Sequence, residues 1–337
     1  MSFRPGPKNL ITDVMGIRVG TAQDEHLKSG VSVVLTDRPV VAGVQVLGGS
    51  PGTRETDALE PHNALQEIHG IALAGGSAFG LDAASGVQAY LREIGVGVQV
   101  REARVPIVPS AIIFDLTNGG NKDWGRYPPY RDLGYEAART ASHDFAIGTA
   151  GAGIGALSAG LKGGLGSAST ILPSGVTVGA LAVANPLGSV TVGRTRHFWA
   201  APFELDDEFG GLGLPSPLPA DVADIRFKFL EEAMSQGNTT IAVIATDAVL
   251  TKASAKRLAI ATHDGFTRAI WPSHTQGDGD LVFALATGES GIELDDFAIM
   301  ELQAVAGTTM ARAIARAVHA ATPAPGDIFP TWSSLQT

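Results

Sequence analysis

The run Gln236-Gly237-Asn238-Thr239-Thr240-Ile241 puts a threonine directly after a turn-forming Gly-Asn pair and at the head of an apolar, β-branched stretch. A threonine hydroxyl attacks an amide only when a base takes its proton. An internal threonine carries no base of its own. If its hydroxyl attacked the peptide bond just before it, the break would leave Thr239 as a new N-terminus. A free α-amine titrates at roughly 7.7–8.0 and lies within reach of its own hydroxyl. A strained Gly-Asn turn would help by twisting the bond to be cut. The same residues also read as a plain β-turn feeding a strand, because Asn tolerates left-handed backbone and Gly adds freedom.

Asp278-Gly279-Asp280 follows some forty residues later, just after His274-Thr275. Two carboxylates around one glycine could hold an ammonium and a hydroxyl in place. They could also be an acidic surface turn. A calcium loop does not fit, since the D-x-D-x-D-G spacing and its distal glutamate are missing. Asn185, ahead of Pro186, is either a turn former or an oxyanion donor at a strand end. A well-aimed donor of that kind is worth about 3–4 kcal/mol in the transition state.

Other patterns carry less. Gly151-Ala152-Gly153-Ile154-Gly155-Ala156 follows a possible strand at Phe145–Ile147 and matches G-x-G-x-x-A. No acidic residue occurs from there to Ala184 to take a ribose hydroxyl. The segment through Gly166 reads instead as a glycine-rich loop around a site. Lys162 within it either meets substrate or is a solvated charge. Gly75-Gly76-Ser77-Ala78-Phe79 looks like a nucleophile elbow, but Phe79 stands where the last glycine belongs. A helix start capped by Ser77 is the plainer reading. No H-x-x-x-H pair occurs among the eight histidines, so no metal site is expected. His263 and His274 read as buried structural histidines near the acidic turn.

The bulk numbers set the frame. The chain has 337 residues, 45% hydrophobic and 17% charged, enough for a large core. A net charge of −10 argues against a nucleic-acid partner. The absence of cysteine removes disulfides and thiolate nucleophiles, and suits a reducing cytoplasm. No stretch is apolar for the roughly 18 residues of a membrane span. The longest, Gly175–Val183, is stopped by Asn185-Pro186. A soluble, cytoplasmic protein is expected.

The elements that would position these groups alternate. Strands are predicted at 31–35, 40–46, 71–74, 96–100 and 105–114, and across 169–184 with a break at Pro173-Ser174-Gly175. Helices are predicted at 77–94, 132–142, 225–235, 253–270 and 295–321, with strands at Thr239 and 281–287. The stretch 203–224 is rich in Pro, Gly and acid, and reads as an exposed loop. Strands flanked by one-sided helices suggest layered α/β architecture.

Taken in order, the motifs resemble the DmpA-type family of N-terminal-nucleophile hydrolases. That family includes L-aminopeptidase/D-esterases, β-peptidyl aminopeptidases and hydrolases of 6-aminohexanoate (nylon) oligomers. The matching residues run over essentially the whole chain. They are Asn9-Leu10-Ile11-Thr12-Asp13-Val14, Gly16, Val19-Gly20, Gly48-Gly49-Ser50-Pro51-Gly52-Thr53-Arg54-Glu55-Thr56 and Leu73-Ala74-Gly75-Gly76-Ser77. They continue through Lys162-Gly163-Gly164-Leu165-Gly166, Asn185-Pro186, Gly237-Asn238-Thr239-Thr240-Ile241, His263-Asp264-Gly265, His274-Thr275 and Asp278-Gly279-Asp280.

The resemblance implies a single α/β domain, an αββα four-layer sandwich of the DmpA/ornithine-acetyltransferase type. It implies a self-made cut between Asn238 and Thr239, giving chains 1–238 and 239–337. It also implies assembly as a homo-oligomer, a tetramer of such heterodimers, and no cofactor. Thr239 would be the nucleophile and Asn185 the oxyanion donor. Asp278 and Asp280 would orient the Thr239 amine and hydroxyl. Substrates would be small peptides, aminoacyl amides or esters, or linear ω-amino-acid oligomers.

Three departures bear on substrate. The aminopeptidase branch has a glutamate in the strand matching 108–114, and none occurs there in this chain. The nylon-oligomer branch has a tyrosine where Phe114 falls, so Phe114 is a candidate substrate contact lacking that hydroxyl. The family's loop lysine is offset from Lys162, which stands as a second candidate contact. Two rival functions remain: acyl transfer of the ornithine-acetyltransferase type, and non-catalytic ligand binding through Gly151–Gly166.

Overall fold

A computed structural model describes residues 3–231 and 237–335. Its strands in chain order are β1 (Ile17–Asp24), β2 (Ser29–Val46), β3 (Thr53–Arg54), β4 (Glu67–Ala74), β5 (Val98–Val100), β6 (Ala103–Val105) and β7 (Ser110–Ile112). β8 (Leu157–Ser158), β9 (Leu161–Lys162), β10 (Gly164–Ile171), β11 (Thr177–Asn185), β12 (Thr239–Thr246) and β13 (Leu281–Ala286) follow. The helices are α1 (Ala83–Glu93), α2 (Tyr130–Arg139), α3 (Lys228–Glu231), α4 (Lys252–Ala269) and α5 (Asp296–His319).

The main strands pair in the order β10-β11-β12-β13-β2-β4-β7-β3, with β1 on β2. β12–β13 and β4–β7 are parallel, and the other pairs are antiparallel. Side chains alternate across each strand, and the alternation defines three cores. In β12, Ala242 and Ile244 face α4 and α5, whereas Ile241, Val243 and Ala245 face the interior between the sheet halves. In β13, Val282 and Ala284 take the helix side, and Leu281, Phe283 and Leu285 the interior. On the far side, Val31, Val33 and Leu35 of β2 pack with Ala84, Val87 and Leu91 of α1 and with Ala137 of α2.

The layers are therefore α4/α5, then β10–β13, then β1, β2, β4 and β7, then α1/α2. This is the expected αββα arrangement. β2 joins its two sheet layers. Its first half pairs with β1 and β4, its last residues pair with β13, and its register with β4 shifts between Leu35 and Val40. Near its end Gly43 lies against the α4 backbone, where a Cβ would sit 2.5 Å from Lys256 N.

Several sequence boundaries move. Pro106 and Pro109 interrupt the stretch 105–114, leaving only β7 as a strand beside β4, because proline cannot donate to a ladder. Phe145–Ile147 is not a strand, and Gly148 makes only an isolated bridge to Leu165. Of the helix predicted at 225–235, α3 covers Lys228–Glu231, and residues 232–236 lie outside the described residues. Ser77 does not cap its helix: it is the first residue of a 3-10 turn, and Gly76 precedes it with φ +80.

The loop 203–224 has no strand, but it is not simply exposed. Glu208 is buried against Arg312, which also bonds the Ser169 carbonyl (3.0 Å) and Asn9 Oδ1 (2.9 Å). Asn9 Nδ2 in turn donates to Glu208 (2.6 Å). The Asn9 motif thus serves to lock the N-terminal segment, the loop and α5 together.

Candidate active site

Strand register brings the first two groups together. Asn185, last residue of β11, is paired with Thr239, first residue of β12. Cross-strand partners project to the same side of a sheet. The Asp278-Gly279-Asp280 turn leads into β13, the parallel neighbour of β12, and so arrives beside the same end. Asn238 and Asp278 form a further parallel bridge.

The contacts around the 238–239 bond are specific. The Thr239 hydroxyl donates to the Asn238 carbonyl. The Gly279 N–H donates to the same carbonyl at 3.1 Å. A Cβ on Gly279 would sit 2.8 Å from Thr239 Oγ1 and 2.6 Å from Ser50 O, so only glycine lets the turn come this close. Gly237 is pressed on the other side, where a Cβ would lie 2.2 Å from Phe114 Cδ1.

The two carboxylates tie together the segments that meet at this end of the sheet. Asp280 Oδ1 accepts the Thr240 N–H at 2.8 Å, and its Oδ2 accepts the His274 N–H at 3.0 Å. Asp278 Oδ1 accepts the Leu187 N–H at 3.0 Å, and its Oδ2 accepts the Thr275 hydroxyl at 2.7 Å. Burial, then the charge of Asp280, pushes the Asp278 carboxyl up to about 6.

The histidines are more than core filling. His274 Nδ1 lies 2.9 Å from Asp280 Oδ2, and His274 Nε2 lies 3.3 Å from His263 Nδ1. His263 Nε2 reaches the Gln45 carbonyl at 3.0 Å. Burial pulls the His263 ring down to about 4, so it is neutral at working pH. The pair therefore buttresses Asp280 from behind.

Asn185 is fully buried and bonded at both ends of its amide. Its Oδ1 accepts from Leu157 N–H and Lys228 Nζ, both at 3.0 Å, and its Nδ2 donates to Phe114 O at 3.2 Å. Asn118 Nδ2 bonds Gly155 O at 2.7 Å and lies 3.4 Å from Asn185 Oδ1. The Gly151–Ala156 segment is accordingly a buried wall behind Asn185, which removes it as an open ligand loop.

A cavity of about 620 Å³ opens in front of Thr239. Phe114 and Ile112 give it apolar surface, and Ser50, Ser77 and Gln276 give it neutral polar groups. Among the described residues lining it, none is charged. Lys162 is elsewhere: it is 2% exposed, with Nζ on Asp327 Oδ2 (2.8 Å) and Thr322 O (3.0 Å). An ammonium already committed to a buried ion pair is not a substrate contact, so Lys162 is withdrawn from the site. The cation that does reach the site is Lys228, which the motifs did not single out. The available signal was a lone charge inside the apolar run Phe227-Lys228-Phe229-Leu230.

A layered α/β sandwich with a threonine and an asparagine paired at a strand end and two aspartates in the turn leading into the next strand defines an amide hydrolase with the N-terminal-nucleophile fold. The chain belongs to peptidase family S58, whose model matches residues 9–328. It is 45% identical over 345 residues to a Mycobacterium tuberculosis protein named as an uncharacterised aminopeptidase, covering 96% of this chain and 98% of that one. It is 30% identical over 295 residues to the 6-aminohexanoate-oligomer endohydrolase of a Kocuria species, covering 84% and 76% of the two chains. Among solved structures, the L-aminopeptidase D-Ala-esterase/amidase of Ochrobactrum anthropi, a variant of the Ntn hydrolase fold, superposes with a TM-score of 0.68. That match covers 95% of this chain and 88% of the other at 22% identity, and speaks to fold alone. No helix of the described residues is long and apolar enough to cross a membrane.

Proposed function

We propose that the protein cuts itself between Asn238 and Thr239 and then hydrolyses amides through an acyl-enzyme on Thr239. One observation carries the reading: the Thr239 hydroxyl and the Gly279 N–H both lie on the Asn238 carbonyl, at the wall of the cavity. In the first step Thr239 Oγ1 adds to the Asn238 carbonyl carbon, with Gly279 N–H on the oxygen that gains charge. The carbon–nitrogen bond breaks, and the released nitrogen takes the proton that the hydroxyl loses. Water then splits the ester, leaving the Asn238 carboxylate and a free Thr239 amine.

In turnover that amine takes the hydroxyl proton as Oγ1 attacks the substrate carbonyl. The proton passes to the departing amine, and water releases the acid from the threonine ester by the same route in reverse. Asn185 supplies one side-chain N–H for the oxyanion, the hydrogen of Nδ2 that is not on Phe114 O. Asp280, backed by His274, and Asp278 hold the backbone that frames the nucleophile.

The substrate class follows the lining. The relatives' names include both an aminopeptidase and an oligoamide endohydrolase. With Ile112 and Phe114 on the wall and no charge among the described lining residues, the cavity suits an uncharged aliphatic chain beside the scissile amide. Linear ω-amino-acid oligomers and capped small peptides fit that description best. Assembly as a cytoplasmic tetramer of two-chain units belongs to the same reading, and light scattering of the purified protein tests it.

Denaturing mass analysis tests the core of the proposal. Two chains, 1–238 and 239–337, are expected, with Thr239→Ala uncut and inert. One intact 34.7 kDa chain with full activity would overturn it. Turnover across aminoacyl amides, β-peptides and 6-aminohexanoate oligomers ranks the substrates.

A further inference from the structure

Lys228 is a buried cation, 3% exposed, at the start of α3. Its ammonium lies 3.0 Å from Asn185 Oδ1, 3.1 Å from Leu157 O and 3.4 Å from Asn185 O. Those three acceptors match the three N–H bonds of an ammonium. None of them is charged. Its backbone N–H bonds Leu187 O at 2.8 Å, and Asp278 holds the N–H of that same Leu187. Lys228 is therefore built into the Asn185-Pro186-Leu187 turn from both its ends.

A buried ammonium carries a large desolvation cost, and here burial pulls its pKa down to about 7, with Asp278 and Asp115 as the carboxylates that oppose the shift. An apolar side chain of the same length would fill the space without that cost. What the charge adds is its effect on Asn185. The backbone Leu157 N–H can only donate, and it meets Oδ1 together with Lys228 Nζ, so that atom must be the oxygen. The amide nitrogen is thereby turned to Phe114, a residue of the cavity wall. A cation on an amide oxygen also draws electron density from the nitrogen and strengthens its N–H donors, as linked hydrogen bonds do in a low-dielectric interior.

We infer that Lys228 is a positioning residue for the hydrolysis: its ammonium on Asn185 Oδ1 orients and polarises the amide that stabilises the oxyanion at Thr239. The inference rests on the reading of Thr239 and Asn185 given above. It assigns to the segment just ahead of the cut a role that outlasts the cut, since Lys228 stays beside Asn185 in the first chain.

The test is Lys228→Met, with Lys228→Gln as a second variant, measured as purified protein beside the parent. Both variants are expected to fold, with Tm equal to or above that of the parent. Self-cleavage is expected to slow, and kcat on a 6-aminohexanoate oligomer to fall about 10- to 100-fold, the usual effect of removing a group that orients a site residue. KM should stay within about twofold, because the lost interaction acts in the transition state. A kcat within about twofold of the parent in both variants would overturn the assignment. So would failure of both to fold, which would make Lys228 a structural cation. If the parent itself neither splits nor turns over substrate, the broader reading of Thr239 has failed instead.

Discussion

Thr239 stands directly opposite Asn185 in the β11–β12 ladder. The candidate nucleophile and the candidate oxyanion donor are thus fixed by backbone register, on two strands whose residues are buried throughout. A one-residue slip would send one of the two side chains to the opposite face. The site's geometry is therefore as stiff as the inner sheet.

Replacing Asn185 with Asp should separate orientation from donation. The carboxylate can still accept from Leu157 N–H and pair with Lys228, while the bond to Phe114 O is lost, so the fold should hold with a modestly lower Tm. It cannot donate to an oxyanion. The loss of kcat should approach the roughly 10²- to 10³-fold seen when one such donor is removed. Steady-state kinetics with a parallel melting curve reads both effects.

Two glycines of one turn should behave differently. Gly279→Ala places a methyl group 2.6 Å from Ser50 O and 2.8 Å from Thr239 Oγ1, and should yield a chain that remains uncut. Gly277→Ala meets nothing nearer than Leu187 Cδ2 at 3.7 Å and should cut normally. A denaturing gel over the hours after purification distinguishes them.

Asp278 should leave a signature in stability against pH. Its carboxyl is pushed up to about 6 in the folded protein, by burial first and by Asp280 second. The unfolded chain returns it to the ordinary carboxylate range. Between those values the native state holds a proton that the unfolded state has released. Stability is therefore lost as pH rises from the ordinary carboxylate range through about 6. Asp278→Asn lacks that titration. The Tm of the parent minus that of the variant should fall as pH rises across this window.

The buried Glu208–Arg312 pair should be essential to stability although it is remote from the chemistry. Glu208→Ala leaves the guanidinium of Arg312, 1% exposed, without its carboxylate. The expected loss is about 3–5 kcal/mol, the usual result of stripping one partner from a buried pair. Urea unfolding measures it.

The sequence carried the site unevenly. Thr239, Asn185 and the two aspartates could be picked out because the required chemistry has few residue types to choose from, and each sits at a strand end marked by Gly, Asn or Pro. The layered architecture was legible in the one-sided helices and β-branched runs. Lys228 was not, because its importance arises from long-range packing against Leu157 and Asn185. The Gly279 N–H was hidden for the same reason, since a backbone donor leaves no mark on side-chain pattern. Lys162 misled because local sequence shows a lysine in a glycine-rich loop and says nothing of Asp327, which neutralises it from the far end of the chain. Loop 203–224 misled likewise, its acidic composition concealing Glu208 as the partner of a buried arginine.

The order β11-β12-β13-β2 has a consequence for a molecule severed ahead of Thr239. β12 and β13 would then belong to the short piece and be clasped on both flanks by strands of the long one. The pieces could part only by unzipping two ladders and stripping α4 and α5 from their apolar bed. Once parted, they would have to find each other by diffusion, where the newborn chain needed only to fold upon itself. Such an enzyme would be assembled once, and heat or denaturant would end its working life without a way back.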